Sequence, residues 1–108
     1  MNIDNYQKLA QNTAIYKKSM GLVYCTLGLT GEAGEVSDKV KKILRDRDGK
    51  FTKKDLQGIA KELGDVLWYV ANLSNEIGYS LSEVAQMNID KLSSRQNRGA
   101  LGGSGDDR

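Results

Sequence analysis

The sequence contains no histidine and no proline, and only one cysteine, one tryptophan and one phenylalanine among 108 residues. Each shortage removes a class of protein. Without histidine there is no imidazole base, no His-ligated zinc and no Glu-x-x-His pair of the kind that di-iron bundles use. Any metal must then take oxygen ligands, which favours magnesium, manganese or calcium. A single cysteine, Cys25, excludes an intrachain disulfide and reads as a small buried thiol in a reducing compartment. The missing prolines suit long uninterrupted helices. An excess of either charge is lacking too: 16 basic against 14 acidic residues leave a formal net charge of +2, which gives no argument for nucleic acid or a membrane surface. No apolar run approaches the ~20 residues of a membrane span, and residues 1–11 lack the apolar centre of a signal peptide. The expectation is a cytoplasmic protein.

What is present reads as helix. Tyr6, Leu9, Ala10, Thr13 and Tyr16 recur at helical spacing and predict a first helix over residues 4–18. A second covers residues 22–45 and is broken by Asp46-Arg47-Asp48-Gly49-Lys50. Thr52, with Asp55 three residues on, forms an imperfect capping box for a third helix that reaches Ile77 and stops at Gly78. Ser80 and Glu83 form a better box for a fourth helix ending near Ser94. No strand is evident. Short connections between long helices imply antiparallel neighbours, so the expected fold is all-α with an antiparallel four-helix bundle-like core. Residues 1–95 form one domain. Residues 96–108 are a Gly-rich C-terminal tail whose composition predicts disorder.

Two acidic pairs stand out, Glu32 with Glu35 and Glu62 with Asp65. Each is spaced i, i+3, so both carboxylates share one helix face. In a chain with 28% charged residues, one such pair is ordinarily a solvated surface feature. Together they are not ordinary. Glu32 and Glu35 lie to one side of the apolar stripe Leu22, Leu29, Ala33, Val36, Val40 and Ile43. Glu62 and Asp65 lie at nearly the same offset, in the same sense, from Ile59, Leu63, Val66, Val70, Leu73 and Ile77. Antiparallel helices turn such offsets toward each other. The connecting turn centres between Asp48 and Gly49, so Glu35 is level with Glu62 and Glu32 with Asp65. Four converging carboxylates repel unless neutralised. A divalent cation is the economical remedy, all-oxygen ligation fits Mg²⁺, and phosphates commonly complete its shell. The substrate class this suggests is a phosphate ester or anhydride.

Gly28, Gly31 and Gly34 lie beside the acids in the second helix, where each costs ~1 kcal/mol. Close approach of a backbone or a bulky ligand would explain them, as would tight helix packing. Tyr69 and Asn72 continue the Asp65 face and are candidate substrate contacts. Lys39, Lys42, Lys91 and Arg95 are candidate phosphate clamps. Trp68 lies between stripes and reads as a subunit-interface anchor. Apolar residues outside the main stripes, Val23, Leu27, Trp68 and Ala71, predict a homo-oligomer. Arg98 and Arg108 flank the Gly-rich tail, which is expected to close with Lys91 and Arg95 over a bound triphosphate.

Gly31-Glu32-Ala33-Gly34-Glu35 and Lys61-Glu62-Leu63-Gly64-Asp65-Val66-Leu67-Trp68-Tyr69 resemble the E-x-x-E and E-x-x-D signature of the MazG-like, all-α NTP pyrophosphatase superfamily. The ending, Lys91-Leu92-x-x-Arg95 with Gly103-Ser104-Gly105-Asp106-Asp107-Arg108, is similar to that of its short single-domain branch in phages and bacteria. The resemblance spans about residues 20–108. It implies a four-helix core assembled as a homodimer or homotetramer, with Mg²⁺ (or Mn²⁺) held by Glu32, Glu35, Glu62 and Asp65. It implies hydrolysis of canonical or damaged nucleoside triphosphates to monophosphate and pyrophosphate, as nucleotide-pool house-cleaning. Glu32 or Glu35 would serve as general base. Phosphoribosyl-ATP as the substrate, or a helical module that binds metal or nucleotide without turnover, are the competing readings.

Overall fold

A computed structural model describes all 108 residues and contains four α-helices and no strand. Helix α1 spans Ile3–Asn12, α2 Gly21–Arg47, α3 Lys53–Ile77 and α4 Leu81–Asn97. The predicted stop signals operate. Asp48 caps α2 in the left-handed region at φ 54°, and Gly78 ends α3 at φ 81°. Both capping boxes are complete, Thr52 with Asp55 and Ser80 with Glu83. No helix is long and apolar enough to cross a membrane.

The first helix is shorter than its periodicity predicts. It ends at Asn12, and a single 3-10 turn, Lys18–Met20, leads into α2. Thr13 turns the chain: its hydroxyl bonds the Ala10 carbonyl at 2.9 Å, a local bond that competes with helix continuation. The released segment gains tertiary partners. The Trp68 indole donates to Thr13 Oγ1 at 2.7 Å, and the Tyr16 hydroxyl donates to Glu76 Oε1 at 3.0 Å.

Helices α2 and α3 form the antiparallel hairpin. Helix α1 packs on α3, and α4 packs on α1 and α3 without meeting α2. Side chains of α1 fix the start of α4. Buried Gln7 donates to Asn75 Oδ1 and to the Tyr79 carbonyl, both at 2.9 Å, and accepts from the Leu81 amide at 2.7 Å. Asp4 accepts from the Ser82 amide at 2.9 Å, satisfying an amide that the helix leaves unpaired. The core lies at this junction, where Ala10, Ala71 and Leu81 are buried against Tyr6, Trp68 and Val70. Ala71 therefore belongs to the core of one chain, not to an exposed face as its place off the main stripe suggests. Cys25 is fully buried, as expected.

The tail departs from expectation. Residues 98–108 fold back on α4 instead of remaining without structure. Arg95 Nη2 donates to the carbonyls of Gly105 (3.2 Å) and Asp106 (2.5 Å), and Arg98 donates to the Arg108 carbonyl at 2.8 Å. Arg108 in turn holds the carbonyls of Leu101, Gly102 and Gly105. Charged guanidinium bonds to backbone, which a Gly-rich composition does not reveal, order the segment.

Candidate active site

The α2–α3 hairpin has the register read from the acidic pairs. Tyr69 lies against Gly28, Asp65 comes level with Glu32, and Lys39 Nζ reaches Glu62 Oε1 at 3.7 Å. Carboxylate oxygens of Glu32, Glu62 and Asp65 all lie within 4.8 Å of one another. Partial burial, followed by the charges of Asp65, Glu62 and Glu35, holds the Glu32 carboxyl above the usual carboxylate range. Glu35 is exposed and stands outside the close trio, although its charge is felt by Glu32. The structure thus draws three of the four acids together and leaves the fourth at the rim.

The donor set fits a hard divalent cation. It is all oxygen, from two helices, and its Glu32 member is pushed toward protonation by burial and then by like charge. An octahedral shell with ligands at ~2.1 Å places them ~3 to ~4.2 Å apart, a small inward movement from the observed spread.

Beside the trio opens a cleft of about 390 Å³ lined by Thr13, Glu32, Asp65, Trp68 and Tyr69. Its aromatic wall is part of a cluster. Trp68 meets Tyr69 edge-on at 4.9 Å and Tyr16 at 6.4 Å, and Tyr16 stacks on Tyr24 at 5.0 Å. Tyr69 is the expected residue that lines this cleft. Burial, then a hydrogen bond to Tyr24 and the Glu32 charge, raises its phenol pKa and keeps it neutral. A Cβ at position 28 would collide with the Tyr69 ring, whereas Cβ atoms at 31 and 34 would meet nothing within 4 Å. Of the three glycines, only Gly28 serves close packing within the chain.

The structure places the other residues singled out in the sequence as follows. Asn72 is fully buried and donates to the carbonyls of Trp68 (3.2 Å) and Ala10 (3.4 Å). It ties α1 to α3 and does not line the cleft. Arg95 is buried beneath the tail, and Lys91 pairs with Asp106 at 3.4 Å, so both amino-acid side chains are engaged by the chain's own C-terminus. Trp68, read as an interface anchor, is a half-buried wall of the cleft. Thr13 was missed altogether. Its signal was tertiary, the indole bond across 55 residues.

The chain is similar in sequence to known proteins. A protein of Mycobacterium phage L5 called Gene 37 protein is 51% identical over 114 aligned positions, which cover the whole of both chains. No solved structure matches the chain. The family model described as the MazG nucleotide pyrophosphohydrolase domain matches residues 24–99, a span that contains both acidic pairs and nearly all of the hairpin bearing them. With that match over most of its length, the chain belongs to the MazG nucleotide pyrophosphohydrolase family.

Proposed function

We propose that the protein hydrolyses nucleoside triphosphates between the α- and β-phosphates, yielding the monophosphate and pyrophosphate with Mg²⁺ as the cofactor. The convergence of Glu32, Glu62 and Asp65 beside an aromatic cleft carries this reading. These three acids, with Glu35 at the rim, would hold the cation, which when bound supplies neutralisation of the carboxylates and of charge on the phosphate oxygens. The cleft supplies the aromatic rings of Trp68 and Tyr69 for a base, and the Trp68 indole is held by its hydrogen bond to Thr13.

In the reaction a water oxygen bonds to the α-phosphorus while the bond from that phosphorus to the bridging oxygen breaks. Pyrophosphate leaves with the electron pair. The water's proton passes to a carboxylate, Glu32 or Glu35.

The working unit is a homo-oligomer. The chain exposes 7878 Å², about a third more than a folded monomer of its mass. That excess exceeds the ~800 Å² per partner of a standard interface. Its radius of gyration is 16.8 Å, against ~13 Å for a close-packed chain of this length. A second copy would cover the apolar face of α2 at Val23 and Leu27, beside which Met20 and Tyr24 line a groove.

A panel of nucleoside triphosphates, with phosphoribosyl-ATP included, tests the activity. Pyrophosphate release should require Mg²⁺ and should vanish in Glu62→Gln and Glu35→Gln, with each variant folded by circular dichroism. Near wild-type kcat for either variant in saturating Mg²⁺ would overturn the site.

A further inference from the structure

A second cavity opens between α2 and α3 on the side of the acids facing the connecting turn. It measures about 330 Å³ and is lined by Lys39, Lys42, Ile43, Lys54, Asp55 and Gly58. Three lysines therefore line one groove. Its carboxylate, Asp55, is already held by Arg47 at 2.6 Å and by the Thr52 amide at 2.7 Å. Lys42 pairs with Asp38 at 2.7 Å, outside the groove lining. Lys39 reaches Glu62 at 3.7 Å, and Lys54 takes part in no ion pair. The groove is cationic, with one amine free and another shared with the acidic trio.

Along one face of α3 the chemistry is ordered. Lys54, Gly58, Glu62, Asp65 and Tyr69 follow at steps of three and four residues, so they form a row. The row runs from amine, through a gap without a side chain, to two acids and then an aromatic ring. Lys39 Nζ is the nearest atom to the space over Gly58, 3.9 Å from where a Cβ would stand. A helical turn of ~5.4 Å separates Gly58 from Glu62. The gap thus adjoins the acids directly and is bordered by lysine on both helices.

The geometry points to this lysine groove as the pocket for the leaving pyrophosphate, with the nucleoside directed the opposite way into the Trp68–Tyr69 cleft. The inference rests on the nucleoside-triphosphate reading and adds to it a direction and two residues, Lys54 and Gly58. A triphosphate whose α-phosphate lies at the acids has its β- and γ-phosphates on one side and its base on the other. The groove on the hairpin-turn side is lined by lysines, with Lys54 unpaired, and the cleft on the opposite side is lined by the rings of Trp68 and Tyr69. A cation held by Glu62 would compete with Lys39 for that carboxylate and would leave the Lys39 amine available to phosphate. Lys91 and Arg95 cannot do this work in the structure as it stands, because Asp106 and the tail carbonyls occupy them.

Calorimetric titration of the full chain in Mg²⁺ with inorganic pyrophosphate, and separately with the four common nucleoside monophosphates, tests the direction. Lys54→Gln and Lys39→Gln should each weaken pyrophosphate about tenfold, the loss of one charge-assisted contact, and leave monophosphate binding within about twofold. Lys54→Arg should restore pyrophosphate affinity. Unchanged pyrophosphate affinity in both Gln variants, or an equal loss for both ligands, would overturn the groove assignment. Wild-type protein that hydrolyses triphosphates while showing either result would sink the groove alone. Wild-type protein that neither hydrolyses triphosphates nor binds pyrophosphate would sink the activity beneath it.

Discussion

The Tyr69 ring fills the space where a side chain on residue 28 would begin, so Gly28 sets how closely α2 and α3 approach at the aromatic end of the site. An added methyl must displace that ring. Gly28→Ala gains ~1 kcal/mol of helix propensity but incurs an overpacking cost of ~1–3 kcal/mol. It should lower the melting temperature and reduce kcat/KM, because the cleft wall shifts. Gly31→Ala meets no atom within 4 Å and should raise stability by up to ~1 kcal/mol. Thermal unfolding of the two variants side by side checks the contrast, and equal shifts would contradict it.

Asp55 ties the hairpin turn. The Arg47 guanidinium, followed by the Thr52 amide, holds its carboxyl well below the usual carboxylate range. A depressed native pKa adds stability that is fully present above the unfolded value of ~3.9 and is lost as pH falls through the native value. Asp55→Asn should therefore melt lower than wild type at pH 7, and the gap should narrow as pH drops below about 4. Melting curves across that range decide it. A gap independent of pH would show that the ion pair contributes nothing.

Arg95 depends on the tail for its burial. Composition alone predicts that deleting residues 99–108 leaves the melting temperature unchanged. The structure predicts a loss of ~1–3 kcal/mol, since the deletion strips two carbonyl bonds and the Asp106 carboxylate from a buried guanidinium. Calorimetry on the truncated chain distinguishes the two, and an unaltered transition would restore the view of a passive terminus.

Only ten of the 108 residues are buried, and the proposed oligomer would cover more of the chain. Light scattering at micromolar concentration should give a dimer or larger. Val23→Asp with Leu27→Asp should shift the mass toward the monomer and lower thermal stability. A wild-type monomer with full activity would refute the oligomer.

The hairpin was legible because its signals are local and periodic. Glu32, Glu35, Glu62 and Asp65 fall on faces set by 3.6 residues per turn, and the turn at Asp48-Gly49 fixes which residues come level. Gly28 opposite Tyr69 follows from the same register. What escaped was set by single side-chain bonds between distant segments. Thr13 ends α1 and takes the Trp68 indole, Gln7 spans three elements, and Asn72 turns inward to the Ala10 carbonyl. Asn72 shares its helix face with Tyr69, so spacing could not tell ligand contact from core tether. Nor could composition reveal that Arg95 and Arg108 organise a Gly-rich tail.

The central claim is a site where water attacks the α-phosphorus beside Glu32, Glu62 and Asp65. Turnover of nucleoside triphosphates with Mg²⁺ in oxygen-18 water, followed by phosphorus NMR, reads the bond broken and the atom attacked together. The account predicts equimolar monophosphate and pyrophosphate, with the label in the monophosphate alone. Nucleoside diphosphate with inorganic phosphate, label in pyrophosphate, or no turnover on any triphosphate would contradict it.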